Sequence, residues 1–316
     1  MNNSVSNENT ESQTVINQLV IDYMRQQKNN RRWRWFFRIL ILIVLLITIY
    51  QLFSDEDTSS HSKPHVGFVD INGAISDSQA ASSENFAKGL DNAYKSTGLK
   101  ALILRINSPG GSPVQADYMY NTVNYYRKKF PDIKVYAVCV DVCASAAYYV
   151  AASAEEIYAN PSSMIGSIGV IYNGFGFVDS LQKLGVTRRL QTAGLNKGFL
   201  DPFSPVKPEQ TQLLQSMLDQ IHEIFIERVK EGRGKRLRVD DQTFSGLFWV
   251  GQQAKDRGLI DGFASSGQIA RDFVKIEQTV DYTYKQSVFD RVSKNIGTAI
   301  ANQLPVAMGL KEGFKA

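Results

Sequence analysis

Residues 100–107 read Lys-Ala-Leu-Ile-Leu-Arg-Ile-Asn, and Val66–Ile71 and Lys134–Val140 are segments of the same short, apolar kind. Such a run has no polar face to turn to water, so as a strand it must be covered on both sides, which is the situation of a parallel sheet flanked by helices. The intervening segments supply helices. Ser82 or Ser83 can cap one that runs through Phe86, Leu90 and Tyr94, after a turn at Asn72-Gly73. A second is expected from Val114 to Phe130, with Met119, Val123 and Tyr126 on one face and Pro131 beyond its end. Strands alternating with helices predict an α/β domain with a largely parallel sheet.

A second apolar run, Ile39–Phe53, makes a different demand. With Trp35, Phe36 and Phe37 before it, the run approaches the roughly 20 residues needed to cross a bilayer as a helix. Arg25, Lys28, Arg31, Arg32, Arg34 and Arg38 precede it, and Asp55, Glu56 and Asp57 follow it. By the positive-inside rule, residues 1–34 form a cytoplasmic tail, 35–53 a single transmembrane helix, and the remainder lies on the periplasmic side of the inner membrane. A cleaved signal peptide fits less well, because Gln51-Leu52-Phe53-Ser54 offers no small-x-small cleavage site. The net charge of +4 is concentrated before this run, so it describes a membrane address and no nucleic-acid footprint.

Residues 54–64 form a polar linker, 65–285 the soluble domain, and 286–316 a tail whose Val292, Ile296, Ile300 and Leu304 allow an amphipathic helix or a solvated end. Within the domain, Tyr172–Leu184 is expected as a strand leading into a helix, Val186–Gln191 as a strand, and Thr192–Pro205 as a loop. Pro208–Glu231 is expected as a long helix burying Leu213, Leu214, Met217, Leu218, Ile221 and Phe225. Phe244–Gly262 is expected to make a turn, a helix and a closing strand. Cys139 and Cys143 read as buried thiols, with neither a disulfide framework nor a zinc site around them.

The chemistry narrows around Val138–Ile171. There Ser145 stands among Cys143, Ala144, Ala146 and Ala147, small neighbours that let a substrate backbone approach; the same pattern also describes a tight packing site. His61, His65 and His222 are the only histidines, and none is in a turn near Ser145, which argues against a Ser-His-Asp triad. A serine without histidine needs another base, and a lysine can serve when burial or nearby positive charge lowers its basicity. Lys197 is a candidate because it lies in Ala-Gly-Leu-Asn-Lys-Gly-Phe-Leu with no acid within three positions, although an exposed loop lysine would read the same way. Ser108-Pro109-Gly110-Gly111 ends a strand in bare backbone N–H groups, which with the N–H of Ala146 could bind an oxyanion.

In order along the chain, SPGG, Ala-Ser-Ala-Ala-Tyr-Tyr, GSIGV and AGLNKG with DPFSP resemble the signal peptide peptidase A (SppA) family in its short, single-repeat form. The resemblance covers residues 65 to about 265 and implies a ClpP/crotonase-like fold. It implies Ser145 as nucleophile, Lys197 as general base, Ser167 as the hydroxyl that orients the lysine, and Gly110 or Gly111 with Ala146 as the oxyanion hole. Family members often have Gly-Gly where this chain has Ala146-Ala147. The resemblance further implies no cofactor, a homo-oligomeric ring (an octamer) with each dyad shared between subunits, and cleaved signal peptides and other hydrophobic peptides as substrates. Two other readings remain. A crotonase-type acyl-CoA enzyme would need an acid/base Glu and leaves Ser145 and Lys197 unexplained; a non-catalytic membrane scaffold would make both residues dispensable.

Overall fold

The computed structural model describes residues 32–50 and 62–285. The expected N-terminal tail up to residue 31, most of the linker and the expected amphipathic tail 286–316 lie outside the described residues. Helix α1, Arg32–Tyr50, is the described helix long and apolar enough to cross a membrane. Its Thr48 hydroxyl turns back onto the carbonyls of Val44 at 2.7 Å and Leu45 at 2.9 Å, which satisfies it within the helix.

The second unit is a mixed α/β domain. Its strands are β1 (His65–Asn72), β2 (Leu99–Ser108), β3 (Lys134–Ala144), β4 (Glu156–Ala159), β5 (Met164–Gly166), β6 (Phe248–Val250), β7 (Gly262–Phe263) and β8 (Thr279–Asp281). The sheet runs β6-β5-β3-β2-β1-β8, with β4 pairing both β3 and β7. Every pairing is parallel except β5 with β6. Side chains alternate across it as the pleat requires. Val69, Ile71, Leu102, Leu104, Ile106, Val135, Ala137 and Cys139 enter the main core. Val66, Phe68, Ala101, Ile103, Tyr136 and Val138 join a smaller one closed by Ala264, Ile269 and Ala270.

The helices begin where the sequence supplies caps. The Ser82 hydroxyl accepts from Asn85 N at the start of α2 (Ser83–Lys95). The Ser112 hydroxyl accepts from Gln115 N ahead of α3 (Pro113–Lys129), with Pro113 in the first turn where its missing N–H costs nothing. Helices α4 (Ala146–Ala151), α5 (Val178–Lys183), α6 (Pro208–Arg233) and α7 (Gly251–Asp256) follow.

Strand β3 controls the rest. Its first half, Tyr136–Cys139, pairs with β4, and its end, Val142–Ala144, pairs with β5 on the same side. The ladder to β2 slips between these halves, with Ile106 opposite Cys139 and Ser108 opposite Cys143. Asn107 fills the gap, accepting from Val142 N at 3.2 Å and donating to Asp141 at 2.8 Å. The Ser163 hydroxyl donates to the carbonyls of Cys139 and Val140 from the other side. This bulge lets one strand leave β4 and carry its last residues out along β5.

Three expectations need correction. No strand occurs at 172–177 or 186–191; the chain there is irregular around α5. The apolar face of α6 is only partly covered: Phe225 and Val229 are buried and Leu214, Leu218 and Ile221 half-buried, but Leu213 and Met217 are about half exposed. Indeed, no residue from 169 to 224 is buried. In 186–191 Arg188 falls between Val186 and Leu190 on one strand face, so the segment lacks the alternation of a half-buried strand, and the stripe on α6 is only partly covered by the described residues.

Arg233 at the end of α6 is fully buried and donates to both carboxylate oxygens of Asp261, at 2.8 and 2.9 Å. Asp261 also accepts from Ile157 N at 2.7 Å, so the pair fastens α6 to β4. Burial alone would raise the Asp261 carboxyl, but the Arg233 hydrogen bonds and charge outweigh it and hold the carboxyl below its usual range. Its folded pKa is therefore depressed: the stabilisation is present above the unfolded value of about 3.9 and is lost as pH falls through the folded value. Arg233→Met should cost about 3 kcal/mol in urea unfolding at neutral pH, because Asp261 loses its buried two-pronged cation and keeps only the more exposed Arg236 at 3.2 Å. It should also remove part of the acid-induced loss; an unchanged stability would show that the pair does not anchor α6.

Candidate active site

Ser145 stands between β3 and α4 with φ 53° and ψ −127°, a conformation rare outside glycine. Its N–H donates to Gly166 O at 2.8 Å and its carbonyl accepts from Tyr149 N at 3.0 Å. The backbone is thus fixed on both sides by β5 and the first turn of α4. Such a conformation costs roughly 1–3 kcal/mol, and it persists only when the surroundings over-determine it. A serine on a sharp strand-to-helix turn has its hydroxyl lifted out of the sheet, the arrangement of a nucleophile elbow.

The Ser108–Ser112 loop lies against this turn. Gly110 has φ 100°, and a Cβ there would come within 2.8 Å of Ser145 Cβ and Ala144 O and 2.9 Å of Ala146 N. Gly111 bridges Ile75: Ile75 N donates to Gly110 O at 2.9 Å, Ser112 N to Ile75 O at 2.8 Å, and a Cβ on Gly111 would meet Ile75 O at 2.1 Å. The two glycines are not equivalent as donors. Gly110 N already donates to the Ser108 hydroxyl at 3.1 Å. The N–H groups of Gly111 and Ala146 donate to no acceptor among the described residues. Ala146 and Ala147 fit without φ > 0, because the positive φ falls on Ser145 itself.

Ser167 is the next residue after Gly166 and also has positive φ, 49°. Its N–H donates to Leu247 O at 2.8 Å. Trp249 backs Gly166, where a Cβ would meet its ring at 2.9 Å, and the Arg257 guanidinium lies 3.6 Å over that ring. Ser145 and Ser167 are therefore brought together through the single Gly166 carbonyl.

Ser145 opens onto a cavity of about 430 Å³ whose wall includes Val114, Tyr118, Tyr149, Ile171, Ile221 and Phe225. Its carboxylate, Asp117, accepts from the Tyr149 phenol at 2.7 Å and Arg228 at 3.2 Å, so it is neutralised within the wall. Burial, with the Asp117 hydrogen bond, pushes the Tyr149 phenol upward and keeps it a donor at neutral pH. Cys143, buried beneath the turn, has its thiol pushed up by burial and by contact with Cys139, which keeps it protonated and inert.

Lys197 is not brought to this site by its own chain. It is exposed on the loop after α5 and is not among the residues lining the Ser145 cavity. Its side chain makes no hydrogen bond or ion pair with the described residues. His222 comes closer than its place in the sequence suggests, with Nε2 3.1 Å from Ile168 O, but that ring nitrogen is committed to a carbonyl. Ile75, Asn107, Ser163 and His222 all shape the site; sequence reasoning passes over the first three and sets His222 aside as remote from Ser145, and only Asp141, a charge interrupting an apolar strand, hints at the bulge. No group of three or more His, Cys, Asp or Glu residues among those described is arranged to hold a metal.

Gly110→Ala should destabilise the domain by roughly 1–3 kcal/mol through overpacking and the positive φ, and should displace the Ser145 turn. Urea unfolding and the loss of Ser145 labelling by an electrophilic phosphonate would measure the two effects. A variant as stable and as readily labelled as the parent would show that the loop does not press on the turn.

Comparison with known proteins supplies the lineage. The sequence profile of peptidase family S49 matches residues 127–303, more than half of the chain. An Enterococcus faecium protein provisionally named signal peptide peptidase SppA is 26% identical over 257 residues, covering 78% of this chain and 74% of that protein. The chloroplastic serine protease SPPA of Arabidopsis thaliana is 29% identical over 180 residues, 57% of this chain and 26% of that protein. A Brucella abortus protein named Na(+)/H(+) antiporter NhaA is 42% identical over 182 residues, which are 58% of this chain but 25% of that much longer protein. The order SPGG, Ser145, GSIGV on one α/β sheet and the match across residues 127–303 agree, and the chain belongs to peptidase family S49 as a member of the SppA family.

Proposed function

We propose that this protein is a membrane-anchored serine endopeptidase with a Ser145–Lys197 dyad that cleaves released signal peptides and other hydrophobic peptides. The observation that carries the reading is Ser145 itself: a serine in a strained strand-to-helix turn, with two unengaged backbone N–H groups beside it and an apolar cavity before it. Helix α1 is the proposed anchor, with the positive flank in the cytoplasm and the domain on the periplasmic side.

In the proposed reaction, Ser145 Oγ attacks the scissile carbonyl carbon while Lys197 Nζ takes its proton. Ser167 orients the lysine. The oxyanion is held by the N–H groups of Gly111 and Ala146; Gly110, with its own N–H already used, supports the loop. As the C–N bond breaks, the leaving amine takes the proton back from the lysine. Water then attacks the acyl ester, giving its proton to Lys197, and Ser145 Oγ recovers one on leaving. The apolar cavity wall suits a large hydrophobic substrate side chain.

Lys197 reaches Ser145, on this reading, from a second copy in a homo-oligomeric ring. Two features support that. The loop bearing Lys197 carries Leu195 at 94% exposure and lies within the stretch 169–224 that has no buried residue. Leu213 and Met217 on α6, in the same stretch, are also left about half exposed, and exposed apolar side chains gathered in one region mark interaction sites. A neighbouring subunit covering it would also bury the lysine and favour its neutral form.

Ser145→Ala and Lys197→Ala should each lower cleavage of a hydrophobic peptide roughly ten-thousand-fold or more, with folding unchanged. If the dyad is shared, mixing the two dead variants in equal amounts regenerates about a quarter of the sites, since each needs an intact serine from one subunit and an intact lysine from the next. No recovery in assemblies proven to be mixed would place each dyad within one chain. Full activity in either single variant would end the dyad proposal.

A further inference from the structure

We infer that His222 is a positioning residue for the active site, acting through the backbone that carries Ser167. The inference rests on the reading of Ser167 as the hydroxyl that orients the catalytic lysine.

The segment after β5 is held in sequence. Gly166 O accepts from Ser145 N, Ser167 N donates to Leu247 O, and His222 Nε2 bonds Ile168 O at 3.1 Å. Because a carbonyl can only accept, His222 must carry its proton on Nε2. Gly169 then lies against Gly246, where a Cβ would stand 3.1 Å from Gly246 Cα, and Val170 and Ile171 pass into the cavity wall. Ile168 itself is completely buried, which limits the access of water to a released carbonyl.

Ser167 holds φ 49°, a conformation that relaxes once its neighbours stop enforcing it. The hydrogen bonds around it, from Ser167 N to Leu247 O and from His222 Nε2 to Ile168 O, supply that enforcement. His222 is also the point at which α6 grips this segment, next to Ile221, Ile224 and Phe225 in the cavity wall. Without its bond, Ser167 can turn its hydroxyl away while the cavity remains intact. The consequence is specific: the chemical step suffers and substrate binding does not.

The test is steady-state kinetics of the full-length assembled protein on a hydrophobic peptide, with thermal melting and assembly checked for each variant. His222→Gln keeps an N–H at the place of Nε2, whereas His222→Glu presents a carboxylate to the Ile168 carbonyl at similar size. We expect kcat to fall roughly tenfold or more in His222→Glu and His222→Leu, with KM within about twofold, and His222→Gln to recover to within about threefold of the parent. Equal kcat in the Gln and Glu variants overturns the inference, including when His222→Leu fails to fold. So does a loss expressed in KM alone. A Ser145→Ala arm keeps the two ideas separate: activity surviving there defeats the serine mechanism, whereas a dead Ser145→Ala beside a fully active His222→Glu defeats only the role of His222.

Discussion

The arrangement depends on one hydrogen bond, from Ser145 N to Gly166 O. It joins the end of β3 to the end of β5 and forces φ 53° on a serine that would otherwise continue into α4 with ordinary helical geometry. The bond exists only because β3 changes partners. The bulge at Val140–Val142, braced by Asn107 and Ser163, releases the strand from β4 and aligns its last residues with β5. A straight β3 would end beside β4, and Ser145 would have no reason to leave the sheet. The strain at the nucleophile is thus sustained by the ladder pairings around it and by the glycine loop packed on its backbone.

The same sheet supplies rigidity at the other end of α6. Arg233 and Asp261 fix the helix C-terminus to β4, while its N-terminal half extends over no core of its own. A helix anchored at one end and only partly covered along its apolar stripe is the surface on which the proposed neighbour would pack. Residues 169–224 share that character: they follow the site immediately, contain Lys197, and bury nothing. Half of the proposed chemistry therefore sits on the best-packed part of the fold and half on a part that, in the proposed ring, a neighbour would cover.

Much of this was legible in the sequence. The three apolar strands and the Ser82 cap follow from periodicity and local chemistry, and each lies where expected. The stripe on α6 misled for a physical reason. Amphipathic patterning reports that a face wants cover, and it does not say whether the same chain provides it. The distinction between Gly110 and Gly111 was hidden because both satisfy the same backbone requirement; only the Ser108 hydroxyl, already occupying Gly110 N, separates them. His222 was hidden because its partner is a backbone carbonyl, which leaves no mark on residue type.

The central claim is that Ser145 is a nucleophile completed by another copy of the chain. The most direct measurement is the rate at which an electrophilic phosphonate modifies the protein, followed by mass spectrometry as concentration is carried through the assembly transition. The account predicts modification at Ser145, at a rate that rises with the assembled fraction and stays low in the monomer. A monomer modified at Ser145 as fast as the assembly, or modification confined to a different serine, would contradict it.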